Sequence, residues 1–84
     1  MDLKAEFDSA VENSKALTQR PDNETLLRLY ALYKQAEHGD IQAAPPENVF
    51  DFVAKAKYNA WQENKGKPQD VARQEYVDLV KSLQ

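Results

Sequence analysis

Three side chains in the stretch Leu29–Ala36 are suited to binding a phosphate. Tyr30 and Lys34 are four residues apart, so a helix places them one above the other on one face, with Tyr33 beside them. Phenol hydroxyls and ammonium groups donate hydrogen bonds to phosphate oxygens, and a flat ring can stack on a nucleobase. Tyrosines on an apolar helix face are more commonly core residues, with hydroxyls at the rim and lysines extending into solvent. The spacing alone leaves both interpretations open.

A second group of cationic and aromatic residues lies in the third quarter of the chain. Residues 53–67 contain four lysines and a single acidic residue, Glu63, so local charge favours an anion there. Lys57 and Trp61 are four residues apart and lie off the apolar stripe of their predicted helix. The whole chain has a net charge of −3, which argues against nucleic acid as the partner, because phosphate backbones are bound by net-basic surfaces.

Other kinds of site chemistry have little support. His38 is the only histidine; Glu37 and Asp40 could join it in a metal or acid–base cluster, but the three flank Gly39 at a predicted helix end. No cysteine or second histidine completes a usual metal site, so we interpret this segment as a solvated turn. The two glycines cannot form a Gly-rich phosphate loop, and the serines have no matching base. We therefore expect neither a metal site nor an enzyme.

Length and composition restrict the fold class and the compartment. With 84 residues, the chain is expected to form one domain, residues 1–84, around one modest core. The absence of cysteine suits a reducing compartment such as the cytoplasm. No stretch approaches the roughly 18 consecutive apolar residues of a membrane helix, and Met1–Glu6 lacks the apolar run of a secretory signal. We expect a cytoplasmic protein with no stable membrane insertion.

Helix-capping and helix-breaking residues predict four helices and leave little room for strands. Prolines and glycines separate the segments, and Asp or Asn residues that can cap a first turn precede the second one. The predicted helices run from Leu3 to Leu17, from Asp22 or Asn23 to the residues before Gly39, from Phe52 to Asn64 with Gly66 as the cap, and from Pro68 as the first helical position. Four helices without an internal repeat indicate a small all-α four-helix bundle.

Each predicted helix has an apolar stripe, and one connection between helices is long. The stripes are Leu3, Phe7, Ala10, Ser14 and Leu17; Leu26, Leu29, Tyr30, Tyr33 and Ala36; Phe52, Ala56 and Ala60; and Ala72, Tyr76, Leu79, Val80 and Leu83. Leu32 joins Leu26 and Leu29 as a packing residue of the second helix. The connection Ile41–Asp51 has Pro45-Pro46 at its centre, and loops of this length often carry local structure, so Val49 and Phe50 are expected to pack back onto the core.

Several short blocks resemble a known family in order and spacing. The blocks are Ala5-Glu6-Phe7; Tyr30; Tyr33-Lys34-Gln35-Ala36; Gly39-Asp40-Ile41; Pro46; Asp51-Phe52; Lys55-Ala56-Lys57; Ala60-Trp61; Lys65-Gly66; and Tyr76. Together they resemble the acyl-CoA-binding proteins, small four-helix carriers of long-chain fatty acyl-CoA thioesters, over nearly the whole chain. The resemblance implies a bundle of that type and non-enzymatic binding, buffering and transport of medium- to long-chain fatty acyl-CoA.

The resemblance also implies a ligand-binding set. Its members are Lys15, Tyr30, Tyr33, Lys34, Lys57, Tyr58 and Tyr76. Within this set, Tyr30, Lys34 and Lys57 would hold the 3′-phosphate of CoA. Tyr76 would help to enclose the CoA head group with Tyr33 nearby, and Lys15 would approach the ligand from the first helix.

Three departures from the family pattern bear on this site. Tyr58 stands where the family usually has tryptophan, so a ring remains against the ligand but with less area. Glu37-His38 replaces a pair that is commonly uncharged, which adds negative charge near a polyanion. The segment Pro45–Phe50 is one residue longer than is usual, which alters the surroundings of the acyl chain.

Two other function classes remain open on the residues alone. Lys57, Tyr58 and Trp61 would also suit a helical module that binds a protein partner, since tryptophan, tyrosine and neighbouring cations are common interface anchors. An esterase or thioesterase acting on the same ligand has the least support, for want of a nucleophile and base. For the carrier, we expect a monomer that needs no cofactor and makes transient contacts with enzymes that use acyl-CoA.

Overall fold

The computed structural model describes residues 2–84; Met1 lies outside this range. Its four α-helices are α1 (Leu3–Lys15), α2 (Asn23–His38), α3 (Phe52–Gln62) and α4 (Gln69–Leu83). Across the described range there is no β-strand. The prediction of an all-α four-helix bundle is therefore confirmed.

Three of the helices begin at an aspartate that caps the first turn. The carboxylate oxygens of Asp2, Asp22 and Asp51 accept hydrogen bonds from backbone N–H groups three residues later, at 2.7, 2.8 and 3.0 Å. Pro68 was predicted at the first helical position of α4, but it is the N-cap residue, with an extended ψ of 147° and no side-chain cap bond. The error of one residue arises because φ is −59° there, a value that the proline ring adopts equally well before a helix and within it.

Two helices end earlier than predicted. α1 stops at Lys15, where Ala16 turns back to bond the Asn13 carbonyl oxygen at 3.1 Å. α3 stops at Gln62, and residues 63–66 form turns that end at Gly66, whose φ is +91°. Gly39 follows α2 with a φ of +75°. Both glycines therefore occupy backbone conformations that side-chain-bearing residues rarely adopt, as their predicted terminating role requires.

The core lies between α1, α2 and α4. α4 packs against both α1 and α2, whereas α3 packs against α2 alone among the described helices. The buried core residues are Phe7, Ala10, Leu29, Leu32, Ala36, Ala72, Tyr76, Val77 and Val80. Val77 was absent from the predicted stripe of α4; it is buried because this helix has a neighbour on each side, so its buried face is wider than one stripe.

The segment before α3 does not pack onto the core. Val49 is 61% exposed and Phe50 is 79% exposed, so the expectation that they pack inward is wrong. A turn holds them outward: the Asp51 N–H donates to the Asn48 carbonyl oxygen at 3.1 Å, and the Phe50 N–H donates to the Asn48 side chain at 2.9 Å. The predicted α3 stripe also fails at its start, since Phe52 is 71% exposed and α3 has no fully buried residue.

A polar network joins the end of α2 to the turn between α3 and α4. The buried Gln35 side chain donates to Asp40 Oδ1 at 2.9 Å and to the Lys67 carbonyl oxygen at 2.8 Å. Asp40 Oδ1 also accepts from the Gly66 N–H at 2.7 Å. The Gly66 bond first, and then the Gln35 bond, lower the pKa of Asp40 below its usual value. Asp40 therefore ties the end of α2 to the turn before α4, and Glu37, His38 and Asp40 are all exposed, as expected for a solvated turn.

Candidate functional site

Tyr30 lies at the centre of a group of cationic and aromatic side chains that we call the tyrosine–lysine cluster: Tyr30, Lys34, Lys57 and Trp61. The Lys57 ammonium nitrogen lies 5.3 Å from the centroid of the Tyr30 ring. The Lys34 nitrogen lies 5.8 Å from the Tyr30 centroid and 5.8 Å from the Trp61 centroid. These distances are within the range of cation–π attraction, so the rings help to hold two positive charges close together.

The packing of α3 on α2 brings the cluster together. Lys34 follows Tyr30 by one turn of α2, and Lys57 precedes Trp61 by one turn of α3. The Trp61 indole N–H donates to the Gly39 carbonyl oxygen at 3.0 Å, which ties the last turn of α3 to the end of α2. This hydrogen bond explains the tryptophan that the sequence places off the apolar stripe: its ring covers the end of α2.

Neither lysine of the cluster has an acidic partner among residues 2–84. In the range from Asp2 to Gln84, neither Lys34 nor Lys57 has a carboxylate oxygen within 4.0 Å. The lysines that do form ion pairs are Lys4, Lys15 and Lys67. Lys34 is half-buried and Lys57 is exposed, so the two charges are accessible from solvent. An anion placed beside Tyr30 would meet two cations that no carboxylate neutralises.

An apolar cleft adjoins the cluster. This α2–α3 cleft has a volume of about 410 Å³ and lies between the first halves of α2 and α3. Its lining residues are Arg20, Asn23, Leu26, Leu27, Tyr30, Phe52, Val53, Ala56 and Lys57. Since Tyr30 and Lys57 belong both to the lining and to the cluster, a ligand can contact apolar carbon and two ammonium groups at once.

A smaller cleft lies on the other side of Tyr30, toward α1. This α1-side cleft has a volume of about 240 Å³, and Tyr30, Tyr33, Tyr76 and Ser14 are among its lining residues. The Tyr76 ring is a core residue: it is 4% exposed and meets the Phe7 ring edge-on at 5.2 Å. The Tyr76 hydroxyl donates to Ser14 Oγ at 3.2 Å, which places the hydroxyl in the cleft wall.

Tyr33 belongs to both the core and the cleft. Its ring centroid lies 6.0 Å from that of Phe7 and 6.3 Å from that of Tyr76, and the ring is half-buried. Tyr33 therefore packs against the core and also lines the α1-side cleft. Tyr30, by contrast, contacts both clefts and the lysines, and it lies outside the buried core cluster.

Two residues of the predicted set lie apart from the cluster. Lys15 is exposed at the end of α1, where its ammonium nitrogen lies 3.5 Å from Glu12 Oε1, and it lines neither cleft. Tyr58 is half-buried on α3 and also lines neither cleft. The structure thus places Tyr30, Tyr33, Lys57 and Tyr76 in the linings of two adjoining clefts, with Lys34 beside the Tyr30 ring, and it leaves Lys15 and Tyr58 apart from this group.

A larger surface cleft lies elsewhere and lacks the features of the predicted site. It has a volume of about 540 Å³, and its lining mixes apolar residues with Glu24, Arg28, Glu63, Lys67 and Glu75. Lys67 is paired with Glu75 at 2.7 Å. No aromatic side chain lines this cleft, and its acidic residues outnumber its basic ones. Charge and lining, rather than size, make the Tyr30 region the better candidate for an anionic ligand.

Sequence reasoning missed the apolar part of the site. Leu27, Val53 and Arg20 line the α2–α3 cleft, but none of them was selected as a site residue. The available signal was the adjacent pair Phe52-Val53. Two adjacent residues cannot both lie on one helical stripe, so the pair indicates an apolar surface beyond the core contact.

Among residues 2–84, no group of three or more His, Cys, Asp or Glu side chains could hold a metal ion. Nor does any helix in this range have the length and apolar character to cross a bilayer.

Comparison with known proteins defines the class of the fold. The structure is similar to the crystal structure of Oryza sativa acyl-CoA-binding protein 2, with a TM-score of 0.91 and 35% sequence identity over 98% of this chain and 90% of that one. The acyl CoA binding protein family matches the sequence over residues 4–80. The chain therefore belongs to the acyl-CoA-binding protein family.

Relatives of very different length contain a similar domain. The chain is 45% identical to an acyl-CoA-binding protein homolog of Drosophila melanogaster over 81 residues, which cover 96% of this chain and 93% of the relative. It is 51% identical to enoyl-CoA delta isomerase 2 of Rattus norvegicus over 78 residues, or 93% of this chain. The match spans only 20% of the length of that isomerase. The resemblance to the isomerase therefore concerns one segment of it.

Proposed function

We propose that this chain binds medium- to long-chain fatty acyl-CoA esters in a one-to-one complex, and that it buffers and carries them in the cytoplasm without making or breaking bonds. One observation carries the proposal: two ammonium groups without carboxylate partners flank Tyr30, beside an apolar cleft of about 410 Å³. A polyanionic nucleotide joined to a long apolar chain is complementary to that arrangement. Membership of the family supports the same ligand class.

The nucleotide end of the ligand is assigned to the tyrosine–lysine cluster. Lys34 and Lys57 would donate charge-assisted hydrogen bonds to the 3′-phosphate, and the Tyr30 hydroxyl would add a third donor. The net charge of −3 does not oppose this binding strongly, because salt limits the reach of remote surface charges to about 8–10 Å. The Tyr33 and Tyr76 side chains of the α1-side cleft would enclose the rest of the head group.

The acyl chain is assigned to the α2–α3 cleft. Leu26, Leu27, Phe52, Val53 and Ala56 provide its apolar lining. Each methylene removed from water contributes about 0.8 kcal/mol, so a chain of 16 carbons contributes on the order of 12 kcal/mol before ordering and association costs. This contribution makes long-chain esters bind more tightly than free CoA, which carries the same head group.

The remaining parts of the proposal concern Lys15, Tyr58 and the assembly. Lys15 would approach the ligand only from solvent, because it is exposed and pairs with Glu12. Tyr58 would contact a part of the ligand that extends along α3 beyond the two clefts, since it lines neither of them. Residues 1–84 would act as one domain and a monomer, with transient contacts to enzymes that supply or consume acyl-CoA. The proposal does not include the isomerase activity that is named for the longer rat relative.

Calorimetric titration across a series of acyl-CoA lengths tests the function. Affinity should rise from free CoA through medium chains to palmitoyl-CoA, with one binding site per chain. An affinity that does not change with chain length would rule out the assignment of the acyl chain to the α2–α3 cleft. Binding of neither CoA nor palmitoyl-CoA would refute the proposed function as a whole.

A second titration tests the phosphate assignment. Lys34→Ala should weaken binding of palmitoyl-CoA much more than binding of its 3′-dephospho analogue, because only the former has the phosphate that Lys34 would contact. Lys65→Ala is the matched control, since Lys65 is an exposed lysine outside both clefts. Equal losses for the two ligands would contradict the placement of the 3′-phosphate beside Tyr30.

The protein-interaction alternative has less support than the carrier. It relied on Lys57, Tyr58 and Trp61 as partner anchors, but the Trp61 indole N–H is bonded to Gly39 and its ring lies beside Lys34 and His38. A helical module of that kind would show no thermal stabilisation by acyl-CoA, whereas a carrier would. The thioesterase alternative predicts release of free CoA when the protein is incubated with palmitoyl-CoA, and the carrier predicts none.

A further inference from the structure

His38 continues the row of side chains that Tyr30 and Lys34 form on α2. Each of the three follows the previous one by four residues, so they lie one above another along one helix face. The Lys34 ammonium nitrogen lies 5.8 Å from the centroid of the Trp61 ring, and the centroid of the His38 ring lies 6.1 Å from it. Lys34 and His38 therefore meet the same indole ring at the end of α2.

The position of the indole ring is fixed relative to His38. The Trp61 indole N–H donates to the carbonyl oxygen of Gly39, the residue directly after His38, at 3.0 Å. The His38 ring is tilted by 46° to the indole ring, and the residue is exposed. The imidazole is therefore held beside the tyrosine–lysine cluster and remains accessible to a ligand from solvent.

No carboxylate forms an ion pair with His38. Among residues 2–84, no carboxylate oxygen lies within 4.0 Å of its ring nitrogens. Glu37 precedes it by one position, and adjacent residues of a helix do not face each other. The Asp40 carboxylate accepts hydrogen bonds from Gln35 and Gly66, so it is directed toward the turn before α4. A proton on His38 thus adds a charge that no direct contact neutralises.

Cations from α2 and from the α3 side accompany His38. Lys34 precedes it by one turn of α2, Lys57 of α3 belongs to the tyrosine–lysine cluster, and Lys65 follows in the turn after α3. The acidic Glu63 of that turn lines the separate cleft of about 540 Å³. Like charges four residues apart on a helix repel, so Lys34 opposes protonation of His38 until an anion binds beside them.

We propose that His38 is a further head-group contact, whose protonated imidazole joins Lys34 in binding a phosphate of CoA. This assignment rests on the proposed function. Histidine is the side chain whose charge ordinarily changes between about pH 5 and pH 8. A bound phosphate favours the charged imidazole, so binding takes up a proton and affinity rises as the pH falls. The charge of His38 also offsets that of Glu37, its partner in the pair that departs from the family pattern.

The phosphate itself changes charge in the same pH range, with the opposite effect. A phosphate monoester loses its second negative charge on acidification at about pH 6, which weakens its attraction to cations. The contribution of His38 is therefore measured as the ratio of wild-type affinity to that of His38→Gln at each pH. Glutamine retains hydrogen-bonding groups but takes up no proton, and the exposed position leaves the core unchanged.

Calorimetric titration with palmitoyl-CoA measures this ratio. It should be near one at about pH 8 and should rise two- to fivefold at about pH 6. In buffers of different ionisation enthalpy, wild type should take up more protons on binding than His38→Gln does. His38→Lys carries a permanent charge, so it should bind more tightly than His38→Gln by the same factor at both pH values. A wild-type ratio that does not change with pH overturns the proposal.

The matched control is Gln74→His, which places a titrating side chain on the exposed face of α4, outside both clefts. Its affinity relative to wild type should not change with pH. A rise on acidification equal to the one that His38 produces would overturn the proposal, because it would show that overall net charge is responsible.

The fluorescence of Trp61, the only tryptophan, gives a second readout. A protonated imidazole quenches indole emission more strongly than a neutral one, so emission should fall on acidification in wild type and not in His38→Gln. Palmitoyl-CoA should move that fall to higher pH, and an unmoved fall contradicts contact between the imidazole and the ligand. Binding that is equally strong in wild type and His38→Gln at every pH rejects the role of His38 alone. Absence of binding at every pH refutes the proposed function, and the role of His38 with it.

Discussion

The two sides of α2 are built differently. On one side, α1, α2 and α4 form a core that buries residues from all three helices, with the Phe7 side chain 1% exposed. On the other side, α3 packs against α2 alone and has no fully buried residue. The first side uses apolar burial, and the second uses polar ties and cation–π contacts. The candidate site lies where packing is thinnest, since accessible donors and open clefts require surface that the core does not cover.

α2 connects the two sides because its faces contact different helices. Leu29, Leu32 and Ala36 face the core, while Tyr30 and Lys34 lie toward α3. The polar network around Gln35 and the Trp61 hydrogen bond join α3 to the end of α2 without much apolar burial. Changes on the core side should therefore alter stability first, and changes on the α3 side should alter binding first.

The largest effect should come from removing the main aromatic residue of the core. Phe7→Ala should lower the free energy of unfolding by about 3–5 kcal/mol, because it leaves a cavity against Tyr33 and Tyr76. Phe50→Ala, on the exposed turn, should change it by less than about 0.5 kcal/mol. Urea denaturation measures both. Similar losses for the two phenylalanines would contradict the distinction between the core and the exposed turn before α3.

The next effect should appear in binding rather than in stability. Lys57→Ala should weaken palmitoyl-CoA binding by about 1.5–3 kcal/mol, because it removes a charge-assisted donor beside Tyr30. Its stability should fall by no more than about 1 kcal/mol, since Lys57 is exposed and the variant loses a single cation–π contact with Tyr30. Lys15→Ala should change affinity by less than about 0.5 kcal/mol. A larger loss for Lys15 than for Lys57 would transfer the phosphate to the end of α1.

A smaller effect should follow from cutting the polar network on the α3 side. Gln35→Leu should lower the free energy of unfolding by about 1–3 kcal/mol, because the Lys67 carbonyl oxygen and Asp40 lose a buried donor. Gln74→Leu is the matched control: Gln74 also donates to an aspartate, Asp78 at 3.0 Å, but on the exposed face of α4. Urea denaturation should show little change for the control, and equal losses would indicate that burial of the network is unimportant.

The smallest effect should be a pH dependence arising from Asp40. Hydrogen bonds from Gly66 and Gln35 lower the pKa of Asp40 in the folded state, so the unfolded state binds the proton more tightly. Its contribution to stability is complete above the unfolded pKa of about 3.9 and is lost as pH falls through the lower folded value. Asp40→Asn should reduce the loss of thermal stability between neutral pH and acid. An unchanged acid dependence would contradict the assignment.

Local sequence signals predicted the helices well and the packing of α3 poorly. Asp22, Gly39 and Gly66 act at helix ends as their types suggest, because capping and positive φ depend on neighbouring backbone. The predicted apolar stripe of α4 was narrower than its buried face, because two helices pack against α4. The predicted packing of Phe50 and Phe52 on the core was wrong, because the apolar character of a side chain does not specify whether another part of the chain covers it.

The sequence by itself determined the four helices, the core face of α2 and the family to which the chain is similar, since these follow from periodicity, caps and ordered motifs. Only the tertiary structure brought Lys57 of α3 to the Tyr30 ring, separated Lys15 from the cluster and made Asp40 an anchor. Those arrangements depend on contacts between residues far apart in the chain. The position of α3 on α2 sets these distances, and it results from long-range packing and hydrogen bonding that no local spacing encodes.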